Sequence, residues 1–388
     1  MAMKIVMLSN FINHHQTPVA DELYNMQGVE YWFIETKALP EEQRNLGYSD
    51  FSNKPYVISA YKSNEEYQKA INLIDNADVV IVGSAPENMI IERLRSNKLT
   101  FRYSERFFKK RPWYFPDPRV WMELWKKHIR YKNKPLYMLA ASAYTANDVY
   151  AIGAYKNKVY KWGYFPRVDD FPVEVCENLD ASSGESAPHI MWCARFLRLK
   201  HPELPVMLAK RLKDKGYNFH LDMYGRGDEL YPTQQLVKSL ALNDNVSFYG
   251  SLPNEEILKE MRKHEIFLFT SDRNEGWGAV LNESMSNGCA GVASNLIGSV
   301  PFLIQDGENG MVFKSGDLDS LTQKVCYLLD NPTERLEMAK KAIHTMREVW
   351  SPANAAKRFV ELAHKLLADE ITSYTDGPCS KAYPYKNN

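Results

Sequence analysis

The chain of 388 residues has no surplus of charge: 48 Lys and Arg stand against 48 Asp and Glu. No global field therefore marks a nucleic-acid partner or a uniformly anionic surface. It also lacks any run near the roughly 18 apolar residues that a membrane-spanning helix requires, the most apolar candidate being Val79–Val82. The five cysteines, Cys176, Cys193, Cys289, Cys326 and Cys379, are odd in number and scattered. They form no C-x-x-C pair, which argues against zinc and dithiol patterns and fits a reducing, cytoplasmic compartment. The opening apolar stretch Met3–Leu8 is too short for a signal-peptide core. There is no internal repeat, no low-complexity segment, and no G-x-G-x-x-G after the first apolar run, so a nicotinamide-dependent dehydrogenase is disfavoured.

What is present is alternation. Short β-branched runs, Lys4–Leu8, Val29–Ile34, Tyr56–Ser59, Val79–Val82 and Leu136–Leu139, read as strands. Thr17–Asn25, Asn64–Ile74 and Glu87–Arg95 between them read as helices. Parallel neighbours cannot be joined by a hairpin, so the pattern predicts a doubly wound α/β domain. Val168–Ala194 holds no Lys or Arg, carries six acidic residues' worth of charge, and includes Pro172, Pro188 and Ser182-Ser183-Gly184; its composition is that of a linker. Alternation then restarts, with His189–Cys193, Phe219–Tyr224, Val246–Tyr249, Ile266–Phe269 and Gly291–Ala293 as strands. The chain ends in helices over Leu318–Leu329, Pro332–Trp350 and Pro352–Ala368, followed by an irregular tail after Glu370. Asp317 and Ser351 are expected N-caps, which makes Asp317-Leu318-Asp319 a cap and not a metal site.

The most informative segment follows Ile266–Phe269. In Ser271-Asp272-Arg273-Asn274-Glu275-Gly276-Trp277-Gly278-Ala279-Val280-Leu281-Asn282-Glu283 a glycine-bearing loop leads into a helix. Free N–H groups at such a helix start can hold an anion. Read as helical, Glu275 and Glu283 lie about 12 Å apart along the axis and roughly 80° apart around it, so the two carboxylates would touch different parts of one extended ligand. An alternative is an exposed helix start with two solvated acids. Ala194-Arg195-Phe196-Leu197-Arg198-Leu199-Lys200 adds two cations just after the first strand of the second half, although such residues are often plain surface charge.

Together these segments resemble the retaining glycosyltransferases of the family 4 type, the glycosyl transferases group 1, with their E-x7-E signature. The likeness runs through Tyr224-Gly225-Arg226-Gly227, Val246–Gly250, Ser284–Ser294 and Asp306–Gly310 in order; it departs at Ala194, at His201 and at Ser299-Val300-Pro301-Phe302. It implies the GT-B architecture: two Rossmann-like doubly wound α/β domains facing across a cleft, the C-terminal helix returning to the N-terminal domain. The expected boundaries are 1–165, completed by 352–388, for acceptor binding and 166–351 for the donor. By the resemblance Glu275, Arg195 and Lys200 are catalytic. Glu283, Gly276, Trp277, Gly278, Ala279, Gly225 and Tyr249 bind a nucleoside-diphosphate sugar carrying UDP or GDP, with Glu283 at the ribose. No metal and no further cofactor are expected, since the cations would stabilise the leaving diphosphate.

The first half matches the family less closely. Asn13, His14 and His15 lie between the first strand and first helix, where open α/β sheets bind ligands; they are acceptor or cleft candidates, or ordinary caps and surface residues. Glu105 and Arg106 are a second such pair, or a surface ion pair. Phe101–Pro135 carries eleven Lys or Arg against three acids, interleaved with Trp113, Tyr114, Phe115, Trp121 and Trp125. Trp121, Leu124, Trp125 and Ile129 have the spacing of a core stripe; the alternative is peripheral contact with anionic lipid or a lipid-linked acceptor at the inner face of a membrane, with no nucleic acid involved. The expected reaction is sugar transfer to a hydroxyl of a glycan or lipid-linked glycan in polysaccharide biosynthesis. A glycoside hydrolase or a non-catalytic nucleotide-sugar binding protein is the alternative.

Overall fold

The structure is a computed structural model that describes residues 2–41, 44, 49–109, 117–169, 171, 187–370 and 374–386. The chain divides into two compact units, one of Met1–Arg167 with Trp350–Lys386, the other of Val168–Val349.

The first unit is built on seven parallel strands in the order β3-β2-β1-β4-β5-β6-β7, with β1 at Met3–Ser9, β2 at Val29–Glu35, β3 at Val57–Ser59, β4 at Val79–Val82, β5 at Thr100–Ser104, β6 at Leu136–Ala140 and β7 at Val159–Lys161. Every residue of β4 is buried, and it pairs with Ile5–Leu8 on one side and Thr100–Arg102 on the other. A wholly apolar run is what a strand covered on both faces requires. Glu87–Arg95 departs from the expected single helix: a 3-10 turn at Glu87–Met89 is followed by a short α-helix at Ile91–Arg95.

Ser351 caps the helix Pro352–Leu367 through Asn354 N–H, and Asp317 caps Leu318–Asp330 through Ser320 N–H. The helix Pro352–Leu367 packs on Thr17–Asn25 of the first unit. Its fully buried Phe359 meets Phe101 edge-on at 5.2 Å and Trp162 at 5.8 Å. The described residues beyond, 374–386, are irregular as expected, but they are docked on the first sheet. Lys381 bridges Tyr160 antiparallel, Lys161 N–H donates to the Ser380 carbonyl at 2.7 Å, and Cys379 N–H donates to the Lys161 carbonyl at 2.8 Å. The edge strand β7 offers unpaired main-chain groups, and the tail takes them.

The core stripe expected at Trp121, Leu124, Trp125 and Ile129 is not one. The helix Pro118–Lys127 buries no residue, and Met122 and Trp125 are more than half exposed. Trp113, Tyr114 and Phe115 lie outside the described residues, as does most of the expected linker, at 170 and 172–186.

The second unit has six parallel strands in the order β10-β9-β8-β11-β12-β13: β8 His189–Cys193, β9 His220–Tyr224, β10 Val246–Gly250, β11 Ile266–Phe269, β12 Ala290–Ser294 and β13 Met311–Phe313. One face of this sheet, through Ile190, Trp192, Leu221, Met223 and Leu268, joins a core with Val206, Leu212, Leu321 and Val325 from the helices Glu203–Asp214 and Leu318–Asp330. In both sheets the chain starts at a central strand, moves outward, then crosses back, so the order reverses between β1 and β4 and between β8 and β11. Loops leaving the carboxyl ends of such strands are where these sheets hold ligands.

Phe359→Ala removes the aromatic wedge that ties the last helix to β5. We expect a loss of about 3–5 kcal/mol from the first unit, read by denaturant unfolding followed by fluorescence.

Candidate functional site

At the switch point of the second sheet, the loop after β8 lies against the turn after β9. Gly225 and Gly227 have φ of +134° and +147°, and a Cβ on Gly225 would stand 1.9 Å from the Ala194 carbonyl oxygen. One on Gly227 would stand 2.4 Å from the Phe196 carbonyl oxygen. Only glycine permits both the backbone shape and the approach. Phe196 N–H donates to the Arg226 carbonyl at 2.9 Å, completing the seam. The assigned donor residue Gly225 thus acts here by shaping the loop that carries Arg195 and Lys200. His201, where the family often has glycine, takes the left-handed conformation itself at φ +49°, with its ring 2.7 Å from a Glu203 carboxylate oxygen.

The loop after β11 meets this one. Trp192 Nε1, in the core, donates to Thr270 Oγ1 at 2.9 Å, and that hydroxyl donates to the Lys200 carbonyl at 2.7 Å. Asp272 N–H donates to the Leu199 carbonyl at 2.9 Å. The main chain is thereby set so that Lys200 Nζ pairs with Glu275 Oε2, both side chains being mostly buried. Ser271 Oγ donates to the same carboxylate oxygen at 3.0 Å. Trp192 and Thr270 were not singled out in the sequence, because nothing but their position in or after strands marks them, and Ser271 was read only as the first residue of the glycine-bearing loop. Arg195 is exposed, and among the described residues its guanidinium has no ion pair.

Glu275 is not on a helix with Glu283. The helix spans Val280–Ser286 with Ala279 as its N-cap, and Gly278 sits in the left-handed region at φ +82°. The helical rise and angle expected between the two acids therefore do not apply, and the helix begins after Gly276–Ala279. A Cβ on Gly278 would strike the Phe269 ring at 2.2 Å and crowd Glu275 at 3.2 Å, so this glycine lets the loop fold back over β11. Trp277 turns its indole inward, fully buried, with Nε1 donating to Asn282 Oδ1 at 2.8 Å. Its side chain is part of the core, which leaves only its main chain for a ligand.

Glu283 is buried, and Asn254 Nδ2 donates to its Oε1 at 3.0 Å. Loss of water pushes its carboxyl up to about 7, against the smaller opposing effect of Asn254. Cys193, at the end of β8, feels both Glu283 and Lys200: burial pushes its thiol up to about 12, with Glu283 raising it further and Lys200 lowering it. The fold thus gathers Lys200, Glu275 and Glu283 around the end of β8. Tyr249 is half exposed at the end of β10, stacked at 4.9 Å on Tyr224.

In the first unit, Asn13 Oδ1 accepts from His15 N–H at 3.0 Å, and the Asn13 carbonyl accepts from Gln16 and Thr17. The rings of His14 and His15 are 3.8 Å apart. Burial, then the neighbouring His14, hold His15 down to about 3, so it is neutral in ordinary buffers; burial also lowers His14. His15 stacks on Tyr164 at 5.4 Å, and Tyr164 Oη donates to Glu105 Oε1 at 2.7 Å. Tyr164, unmarked in the sequence, connects two of the candidate residues. Glu105 and Arg106 do not pair with each other: Glu105 meets Lys109, while Arg106 approaches Asp148 at 3.7 Å and covers the Tyr144 ring.

Because the folded-state pKa of Glu283 lies above its ordinary value of about 4.5, the neutral acid favours the fold. That contribution is complete below about pH 4.5 and is lost as pH rises through about 7. Glu283→Gln stays neutral throughout. We expect the variant to gain on the order of 3 kcal/mol over the parent at pH 8.5 and to converge with it below about pH 4.5, as read from melting curves across pH. Parallel curves would mean that the carboxylate is hydrated.

Residues 180–345 match the family described as glycosyl transferases group 1. The chain is 26% identical over 187 residues to the N-acetyl-alpha-D-glucosaminyl L-malate synthase of Bacillus anthracis, covering 48% of either protein. It is 24% identical over 181 residues to a GDP-mannose-dependent phosphatidylinositol monomannoside mannosyltransferase of Mycolicibacterium smegmatis. The chain spans about half or less of the length of such curated relatives. Among solved structures, a glycosyltransferase from Rickettsia africae superposes with a TM-score of 0.68 at 14% identity, over 95% of this chain and 100% of that one. An Anabaena protein solved with UDP does so at 0.68 and 12%, with the same coverage. The two parallel-sheet units have the fold of the GT-B glycosyltransferases, and residues 180–345 carry the glycosyl transferases group 1 segment.

Proposed function

We propose that this chain is a retaining glycosyltransferase that moves a sugar from a nucleoside-diphosphate sugar to a hydroxyl of a glycan or lipid-linked glycan. The observation that carries the reading is the Lys200–Glu275 pair beside buried Glu283 at the carboxyl ends of β8 and β11. A donor diphosphate takes Lys200 and the exposed Arg195, which frees Glu275 to accept from sugar hydroxyls. As the bond from the anomeric carbon to the diphosphate breaks, charge grows on the leaving oxygens, where two cations lower the barrier most. On this account no metal is needed. Glu283 accepts from the ribose diol, and Tyr249 lies beside the base, either uracil or guanine. Solved relatives are described in complex with UDP and with UDP-glucose, which supports this donor class. In the first unit, neutral His15 has a buried Nδ1 without a hydrogen-bond partner among the described residues; with His14 and Asn13 it is assigned to the acceptor hydroxyl.

The exposed helix Pro118–Lys127, with Met122 and Trp125 outward and Lys126, Lys127 and Arg130 nearby, is assigned to peripheral contact with an anionic lipid surface. It supplies the setting for a lipid-linked acceptor.

In transfer assays with UDP- and GDP-sugars, Glu275→Gln should lower kcat by about 10²–10³ while UDP or GDP binding changes less than threefold. Equal turnover would remove Glu275 from the chemistry. Sedimentation with vesicles containing anionic lipid should fall at least fivefold for the paired K126E and K127E substitutions, with no change in circular dichroism; unchanged sedimentation removes the helix from membrane contact.

A further inference from the structure

The opposite face of the second sheet from its apolar core holds a cluster of two histidines and an aspartate, and its Asp222 also meets the Tyr249 side chain. Asp222, third in β9, is almost fully buried, and its Oδ2 lies 2.7 Å from His189 Nδ1 and 3.0 Å from His264 Nε2. All three ligand atoms fall within 4.8 Å of one another. They come from three adjacent strands or their approach: His189 opens β8, and His264 stands two residues before β11. Each is held by its own main chain or ring. His189 N–H donates to Glu265 Oε2 at 2.7 Å, and His264 N–H to the Met261 carbonyl at 3.2 Å.

The second nitrogen of His264 decides what the cluster requires. Nδ1 lies 2.7 Å from the Glu260 carbonyl oxygen, which can only accept, so Nδ1 carries a hydrogen. A neutral ring then has its Nε2 lone pair aimed at a carboxylate oxygen, and two lone pairs at that distance repel unless a cation lies between them. A second proton would serve, and so would a metal ion. Metal-binding histidines are commonly oriented by donating the non-ligating ring N–H to a carbonyl or carboxylate, as His264 Nδ1 does to the Glu260 carbonyl. Tetrahedral coordination at 2.0–2.1 Å spaces ligand atoms by roughly 3.3 Å, so an ion would need Asp222 Oδ2 to draw back from its present 2.7 and 3.0 Å contacts. His189 is nearly half exposed, which leaves a solvent-side position, and the exposed His220, its register partner on β9, has its ring 5.1 Å away.

We propose that His189, Asp222 and His264 bind a divalent transition-metal ion of the zinc class, which staples β8, β9 and β11 together toward their amino ends. Two imidazoles and one carboxylate favour zinc, cobalt or nickel over magnesium or calcium. The His189 and His264 ends of β8 and β11 lie away from the carboxyl ends that carry Lys200 and Glu275, so the ion's role is structural, and the inference does not rest on the proposed transfer reaction.

The test uses the full, untagged chain after chelator dialysis, with Zn²⁺, Co²⁺ and Mg²⁺ as probes. Calorimetry should give one Zn²⁺ per chain, a raised melting temperature, and the visible absorption of tetrahedral Co²⁺, none of them with Mg²⁺. His189→Ala, at a partly exposed ring, should fold and lose at least 100-fold in Zn²⁺ affinity, whereas His220→Ala should lose less than tenfold. If His264→Ala fails to fold, the His189 variant still decides. Zinc uptake equal in the parent and His189→Ala, or no uptake by the parent at micromolar Zn²⁺, would overturn the proposal, leaving a buried imidazolium–aspartate pair.

Discussion

The second unit depends on a contact between two stretches of main chain. Where the turn after β9 presses on the loop after β8, there is room for hydrogen atoms and nothing larger at Gly225 and Gly227. That closeness fixes the start of the loop, and the chain Trp192, Thr270, Lys200 fixes its end. A lysine on a surface loop usually keeps considerable rotamer freedom. Here the backbone on both sides is set, and the side chain already lies against Glu275. The ordering cost of a charged site has been met in folding, before any ligand arrives.

The electrostatic state of this region follows from the same geometry. Lys200 and Glu275 neutralise one another, and Glu283, deprived of water, is only partly ionised near neutrality. The region is therefore close to electrically balanced when empty, apart from Arg195. On the proposed reading, an entering diphosphate meets Arg195 and must also displace Glu275 from Lys200. Such an exchange selects for ligands that satisfy both released groups: one that takes the lysine and offers nothing to the carboxylate leaves a partly buried charge unpaired, which is costly.

Much of the fold was legible because its signals are local. The strands at Lys4–Leu8, Val29–Ile34, Val79–Val82, His189–Cys193 and Ile266–Phe269 are apolar runs that a two-sided burial demands, and all appear within a residue or two of the expected bounds. Asp317 and Ser351 cap helices because capping is decided within four residues. The errors arise where distant partners decide. The stripe Trp121, Leu124, Trp125, Ile129 has core spacing, but the helix Pro118–Lys127 that carries its first three members buries none of them. The run after Glu370 is irregular as read, and only its docking on the open edge at Tyr160 was not legible, because the partner lies far off in sequence. Glycine at 278 breaks the helix assumed between Glu275 and Glu283, since its left-handed shape was not readable as such. Tyr164, Thr270 and the His189, Asp222, His264 cluster leave no mark in the sequence, because their members meet only across the sheets or between loops.

The way the tail closes on β7 has a consequence for biosynthesis. The second unit is one continuous stretch and can assemble as soon as it has left the ribosome. The first unit begins earlier but needs Phe359 for its core and Lys381 for its edge. Its amino-terminal strands must therefore wait, with an open border and an incomplete interior, while nearly two hundred later residues are made. Exposed borders of that kind are prone to join other chains. The nascent protein is thus most vulnerable in its oldest part, and translation speed or a chaperone at the exit site would act on the yield of that unit first.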